Sequence, residues 1–261
     1  ILWVAPSTNR DWSPRWSPDG TRLVFARRSG GGGPPSASLE PEPAPWSLFV
    51  ADARTGEAKL RWSSEVSLKG SVPSTHGGVN LHWAAGDRIA FLSYHDGWPH
   101  LYSMTAAGTA APMLLTPGDH MAEYITLAKD GRSLLYAGNT GSTPGDIDRR
   151  HLVRVPVDRA APEALTPGTG LEWTPVTMGT GKIAAIGGTA QRAPTVMVLD
   201  GATPKFVGAE RIPTEFPAMW LVVPRSVTYK SSDGLTVHAQ LFEPPAGGAA
   251  LHPRTRPQRG L

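Results

Sequence analysis

The 261-residue chain carries 25 Lys and Arg residues against 22 Asp and Glu residues, and this net charge of +3, without a basic run, gives little support for a nucleic-acid partner. The absence of Cys excludes a disulfide framework and a thiolate metal site, and it fits a cytoplasmic or a periplasmic location equally well. No apolar run approaches the length of a membrane-spanning helix, so we expect no membrane span.

The first recognisable element is the stretch WSPDGTRLVF at 16–25, which predicts two strands around a tight turn. Pro presets φ for a turn, Asp can bond its own backbone, and Gly accepts positive φ, while Leu, Val and Phe favour a strand. Similar units follow at 82–92, 126–137 and 175–187. We match Trp16 to Trp83, Leu127 and Val176, which gives intervals of 67, 44 and 49 residues.

A second series of predicted hairpins alternates with the first, at 48–62, 101–118, 152–168 and 196–210. Its first strands align on Leu48, Leu101, Leu152 and Val196, at intervals of 53, 51 and 44 residues. Two hairpins in a period of roughly 45–50 residues make four strands, which is the period of a β-propeller blade. The long first interval of 67 residues is explained by a Gly- and Pro-rich loop insertion at 29–45, between strands two and three.

An ordinary β-sandwich is the alternative fold, since Asp-Gly turns recur in any all-β protein. Two hairpin series in constant order, four times over, favour the propeller. We therefore predict an all-β fold, a partial β-propeller of about four four-stranded blades in residues 1–223. Such an open arc would leave strand edges unpaired, and we expect the isolated chain to be prone to association.

The stretch SPRWSPDGTRLVFAR at 13–27 resembles the propeller repeat of the Tol-system periplasmic protein and of prolyl oligopeptidase family enzymes. The segment 222–248 is similar to the join between propeller and peptidase domain in the second group, especially its acylaminoacyl- and dipeptidyl-peptidase-like branch. There a strand, a Ser-x-Asp-Gly turn and a second strand open the α/β-hydrolase domain. Here 227–230, the turn residues Ser232, Asp233 and Gly234, and 237–242 supply these parts. A fifth, degenerate blade hairpin is the alternative, although no second hairpin follows it.

The resemblance implies that the chain is the substrate-gating propeller of a serine peptidase that hydrolyses short peptides without a cofactor. It further implies that 224–248 is the start of the hydrolase domain. The triad Ser of such enzymes lies in a G-x-S-x-G elbow, which is absent here, and Ser142 is expected to lie in a blade loop. We therefore assign no catalytic residue and expect this chain alone to be inactive. The tail 249–261 departs from the family pattern and is expected to be aberrant or disordered, as a truncation or a shifted reading frame would produce. The competing function is a non-enzymatic Tol-type propeller that binds a protein partner.

Other polar residues are candidates for functional sites. Five histidines crowd one third of the chain without the spacing of a metal motif, so we predict loop positions and no metal site: His76, His82, His95, His100 and His120. A charged cluster could face a substrate chamber, where an Arg could hold a peptide carboxylate, or it could form local ion pairs in a solvated loop: Asp146, Asp148, Arg149 and Arg150.

Glu123 is a lone acid, whereas the dipeptidyl-peptidase branch anchors the substrate amino terminus with paired Glu residues. Either the resemblance does not extend to dipeptidyl specificity, or the residues that determine it lie upstream of this sequence. Substrate-binding residues stay unassigned. Trp16 and Trp83 are expected to pack in blade cores rather than to bind a ligand.

Overall fold

The computed structural model describes residues 1–30, 41–108, 110–140, 148–201 and 203–244. Within these residues the chain forms eighteen β-strands and two short 3₁₀ turns, Ala209–Arg211 and Ala218–Trp220. The expected all-β class is therefore confirmed.

The strands follow one another in chain order as β1 (Arg10–Trp16), β2 (Arg22–Arg28), β3 (Ser47–Asp52), β4 (Ala58–Ser63), β5 (His82–Ala84), β6 (Arg88–Ser93), β7 (His100–Thr105), β8 (Met113–Leu114), β9 (Ala122–Leu127), β10 (Ser133–Gly138), β11 (His151–Pro156), β12 (Glu163–Ala164), β13 (Leu171–Thr177), β14 (Ile183–Thr189), β15 (Arg192–Asp200), β16 (Thr203–Phe206), β17 (Arg225–Lys230) and β18 (Thr236–Leu241).

Each set of four consecutive strands forms one antiparallel sheet in which chain neighbours pair: β1–β4, β5–β8, β9–β12 and β13–β16. These sheets are blades one to four of a β-propeller, and they confirm the predicted number of four four-stranded blades. The remaining strands, β17 and β18, form a separate two-stranded hairpin. The stretch 29–45 connects β2 to β3, although 31–40 lies outside the described residues, as does the tail 249–261.

The ladder register confirms the second sequence series. Leu48 pairs with Ala26, Leu101 with Leu92, Leu152 with Ala137, and Val196 with Ile186. In all four blades these residues occupy the same position of the third strand. In blades one to three this residue is buried in the packing between blades, which favours an apolar side chain, whereas Val196 in blade four is 46% exposed.

A residue with a left-handed backbone conformation recurs at one position in, or just before, the first strand of every blade. These residues are Ser13, Asn80, Tyr124 and Thr174, with φ of 52°, 43°, 52° and 53°. In blades one, three and four it lies in a β-bulge, where one extra residue bends the strand. Three residues further on come Trp16, Trp83 and Leu127, but in blade four Thr177. The match of Trp16 to Val176 was therefore wrong by one residue, because the β13–β14 turn is one residue shorter than the β1–β2 turn.

The blades pack side by side in chain order, with an apolar core between each neighbouring pair. Leu48 and Phe91 belong to the core between blades one and two, and Leu92 and Tyr136 to the core between blades two and three. Leu135, Ile183 and Met197 are among those that pack between blades three and four. Burying such side chains stabilises the fold by about 1.5–3 kcal/mol each, and it fixes the blades against one another.

Contacts between neighbouring blades show that all four point the same way. At the turn end, which carries the β1–β2, β5–β6, β9–β10 and β13–β14 turns, Arg22 pairs with Asp87 at 2.7 Å. The Ala85 amide there donates to the Gly131 carbonyl at 2.8 Å, and Lys129 Nζ to the Gly179 carbonyl at 3.0 Å. The opposite, loop end carries the β2–β3, β6–β7, β10–β11 and β14–β15 connections.

The two tryptophans predicted to pack in blade cores differ. Trp83 is 5% exposed, lies under the Arg22 guanidinium at 4.9 Å, and donates from Nε1 to Asp87 at 3.2 Å. Trp16 is 61% exposed. The core expectation is correct for Trp83 and wrong for Trp16, because this position packs against the preceding blade and the described residues place none before blade one.

Candidate functional site at the loop end of the blades

Glu123 and Arg150 form an ion pair at the loop end of blade three. Glu123 lies on β9 and Arg150 directly before β11, and Arg150 Nε donates to Glu123 Oε2 at 2.5 Å. The other guanidinium nitrogens contact the Met121 sulfur and the Arg149 carbonyl, both at 3.3 Å. The acid that is isolated in the sequence thus has a partner 27 residues away, and the Arg side chain is already neutralised.

The members of the predicted charged cluster contact different parts of the molecule. Asp148 Oδ2 accepts a hydrogen bond from the Ser226 hydroxyl at 2.8 Å, so this loop touches strand β17. The Arg150 carbonyl accepts from the Glu172 amide at 2.7 Å, which links blade three to blade four. Asp146 and Ser142 lie outside the described residues. The cluster therefore meets both a neighbouring blade and the C-terminal hairpin.

Two of the predicted histidines, His100 and His120, come together with Asp96 at the loop end of blades two and three. His100 Nδ1 lies 2.6 Å from Asp96 Oδ2, and the His100 and His120 rings are 5.3 Å apart. Burial, with the nearby His100 charge, lowers the pKa of His120 to about 4. Burial opposes the charged form of Asp96, but hydrogen bonds from His100 and the Trp98 amide outweigh it and lower its pKa. This arrangement is a buried His100 imidazole held by the solvent-exposed carboxylate of Asp96, beside the neutral imidazole of His120.

The other histidines lie apart from this pair. His76 packs its ring on Tyr124 at 4.7 Å, and His95 lies 4.1 Å from the Tyr102 ring. His95 Nδ1 is 2.9 Å from the Ser93 hydroxyl, but Ser93 is fully buried, so it cannot attack a substrate. Within the described ranges no group of three or more His, Asp or Glu side chains is arranged to hold a metal ion.

His82 occupies an inner position on β5, two residues after the left-handed Asn80. The equivalent residues Arg15 and Thr126 each donate to a backbone carbonyl of the next blade, at 2.9 and 2.8 Å. His82 Nε2 is buried without such a partner. Burial, with the Arg15 charge, lowers its pKa to about 4. His82 and His100 lie in strands, so the expectation of loop positions is correct only for His76, His95 and His120.

A buried polar group that the sequence analysis missed joins blades three and four. Glu172 accepts a hydrogen bond from the Thr166 hydroxyl at 3.0 Å and lies 3.2 Å from His151 Nδ1. Thr166 also accepts from the Leu152 amide at 2.8 Å. The signal was the sequence Leu-Thr-Pro-Gly, present at 115–118 and 165–168. Its first copy makes the same backbone contact, from the Leu101 amide to Thr116 at 3.0 Å.

The loop end is thus a polar surface. Glu123 and Asp96 are held by Arg and His partners and Asp148 by the Ser226 hydroxyl, and the lowered pKa of His120 leaves its imidazole neutral at physiological pH. Hydrogen bonding to peptide groups is chemistry that such a surface can perform.

Searches by sequence found no matching family model and no similar curated protein. Solved structures do match. A puromycin hydrolase superposes with a TM-score of 0.64 at 16% identity, covering 88% of this chain and 33% of its own. A Mycobacterium tuberculosis puromycin-hydrolyzing peptidase gives 0.63 at 18% identity, covering 91% and 35%. An oligogalacturonate lyase from Vibrio parahaemolyticus gives 0.58 at 12% identity, covering 91% and 67%.

At these identities the likeness establishes the propeller fold alone. The chain spans about a third of the length of the two puromycin-hydrolysing enzymes. Because a lyase carries a similar fold, the fold by itself does not select an activity. No helix in the described part of the chain is long and apolar enough to cross a membrane.

Proposed function

We propose that this chain is the propeller portion of a serine peptidase that hydrolyses short peptides, in which it gates access to a separate catalytic domain. The observation that carries the proposal is the superposition on two puromycin-hydrolysing enzymes, over 88% and 91% of this chain. The chain matches only a third of each, which leaves room in the parent protein for a catalytic domain. The acylaminoacyl- and dipeptidyl-peptidase-like branch is part of this proposal.

The hairpin β17–β18 supports the second half of the proposal, that residues 224–248 open an α/β-hydrolase domain. It pairs with no described blade strand, and its side chains are mostly exposed on both faces. A third strand of a blade is instead largely buried, as in β7 and β11. We interpret this unpaired, exposed hairpin as the edge of another folding unit rather than as half of a fifth blade.

The loop end is the face that we assign to the catalytic domain and its substrate. Ser226 on β17 donates to Asp148 there, and Gln191 from the β14–β15 turn donates to the Leu221 carbonyl at 2.8 Å. Arg150, the candidate for a peptide carboxylate, is neutralised by Glu123. We accordingly assign substrate contact to this face and not to Arg150.

The coding sequence that follows codon 248 provides the test. We expect a reading frame there with a G-x-S-x-G elbow, followed by Asp and then His. The product that includes it is expected to cleave chromogenic dipeptide or acyl-amino-acid substrates, whereas the 261-residue chain is expected to be inactive. A Ser→Ala change in the elbow is the matched control. Turnover by the 261-residue chain would contradict the proposal, and so would a locus without a hydrolase reading frame. If the locus has no such frame and the chain captures an envelope protein, the non-enzymatic propeller would be favoured.

A further inference from the structure

An open cleft of about 800 Å³ lies at the turn end between blades two and three. The β5–β6 turn forms one wall, and the start of β10, the end of β11 and the β11–β12 connection form the others. This cleft is at the opposite end of the blades from the surface assigned above to the substrate. It requires a separate explanation.

The cleft is basic. Four arginines and two carboxylates line it, which leaves a formal charge of +2: Arg88, Arg132, Arg154, Arg159, Asp158 and Glu163. Asp158 is already paired with Arg159 at 2.9 Å. Glu163 lies opposite Arg154 in the β11–β12 ladder, yet among the described residues the two form no ion pair.

Arg88 is fixed at the junction of the two blades. Its Nε donates to the Ser103 hydroxyl and to the Val157 carbonyl, both at 2.8 Å. Val157 belongs to blade three, so this contact sets the position of the guanidinium relative to the far wall. In the described part of the chain neither terminal nitrogen of Arg88 has a hydrogen-bond partner. These nitrogens are therefore available to a ligand.

Arg154 is a second arginine of the cleft whose guanidinium is free to bind an anion. Its half-buried side chain lines this cleft and two adjoining clefts, and it makes no hydrogen bond or ion pair with any described residue. Withdrawing a cation from water without a partner is unfavourable, and the usual compensation is a counter-charge. Arg132, directly before β10, is exposed and contributes a third guanidinium to the lining of the cleft.

We propose that this cleft binds a multiply charged oxyanion of the phosphate class. Guanidinium groups match phosphate oxygens with two parallel N–H donors each, and a dianion would balance the charge of the cleft. The cleft is large enough for a phosphate ester as well as for the inorganic anion. The proposal does not depend on the peptidase assignment.

The test is titration calorimetry of the 261-residue chain with inorganic pyrophosphate and, separately, with adenosine diphosphate, at low and at physiological salt. We expect saturable binding that weakens as salt increases. Arg154→Gln is expected to weaken it at least tenfold, and Arg132→Gln several-fold. The matched control is Arg10→Gln, an exposed arginine on β1 that lies away from the cleft, which is expected to leave binding unchanged.

Thermal unfolding of each variant without ligand separates loss of the site from loss of the fold. Arg132 is exposed, so its variant is expected to fold normally and keeps the test decisive if Arg154→Gln is unstable. Tighter binding of the nucleotide than of pyrophosphate would assign a phosphate ester, and the reverse order would assign the free anion. Absence of saturable binding, or equal weakening by Arg10→Gln, would overturn the proposal.

Discussion

Trp16 and Trp83 occupy the same position in blades one and two, but their surroundings differ. Trp83 is enclosed by the preceding blade through Arg22 and by its own Asp87, whereas Trp16 is mostly exposed. The energy that a tryptophan contributes depends on the contacts it makes and not on its place in the repeat.

This difference gives a prediction with an internal control. Trp83→Ala is expected to lower the free energy of unfolding by about 3–5 kcal/mol, because it leaves a cavity between two blades. Trp16→Ala is expected to change it by about 0.5 kcal/mol or less. Urea denaturation of the two variants provides the measurement, and similar losses for both would contradict the packing described for Trp83.

His82 predicts an acid-sensitive fold. Its pKa is about 4 in the folded chain and about 6.5 when unfolded, so between these values the unfolded state binds more protons. The free energy of unfolding should therefore be unaffected above pH about 6.5 and should fall as the pH drops toward about 4, by on the order of 3 kcal/mol for this residue.

Urea denaturation across this pH range measures the effect. The His82→Gln variant is expected to show a shallower pH dependence than the parent chain, because it cannot take up the proton. His76→Gln is the control, since His76 lies in a loop and its ring packs on Tyr124. Identical pH profiles for His82→Gln and the parent would contradict this account.

Among the elements, the two hairpin series show what can be predicted from sequence. The third-strand series occupies one position in every blade: Leu48, Leu101 and Leu152 are buried between blades, where an apolar side chain is favoured, and Val196 holds the same register although it is exposed. The first-strand series is wrong by one residue in blade four, where Thr177 and not Val176 holds the position, because the β13–β14 turn is one residue shorter than the β1–β2 turn. The bulge residues Ser13, Asn80, Tyr124 and Thr174 share a backbone conformation but no side-chain type, so no residue pattern reveals them.

The candidate site was less predictable than the strands, because its contacts join residues that are distant in the sequence. Glu123 and Arg150 come together only because β10 lies between their strands, and the sequence gives no sign of that contact. The Ser-Asp-Gly turn on which the peptidase resemblance rests is also not distinctive. Gly234 donates to the Ser231 carbonyl as Gly20 donates to the Ser17 carbonyl, so the C-terminal hairpin and a blade hairpin use the same local chemistry.

The turn of blade one provides a test at this scale. Gly20 has φ of +71° and open space where a Cβ would lie, so Gly20→Ala should cost only backbone strain, about 1–2 kcal/mol. Gly179→Ala is the matched control, because that glycine also has open space but no positive φ, and it should be tolerated. Equal thermal stability of the two variants would show that strain at Gly20 is unimportant.

For the whole molecule, the described outer surfaces of the first and last blades expose apolar side chains. Trp3 and Trp16 are exposed on one side, and Val176 and Val196 on the other. Exposed apolar edges of this kind associate. We expect the isolated chain to self-associate at micromolar concentration, and Trp16→Lys to reduce the association. Sedimentation velocity is the measurement, and a sharp thermal transition of a strictly monomeric chain would contradict the expectation.

The central claim is that these blades belong to a serine peptidase. Its most direct test is to isolate the native protein with an antibody against residues 1–223 and to treat it with a fluorophosphonate probe, which labels active serine nucleophiles. We predict a labelled protein roughly three times the length of the 261-residue chain, as in the two puromycin-hydrolysing enzymes. A native protein of the chain's own length that takes up no probe would contradict the claim.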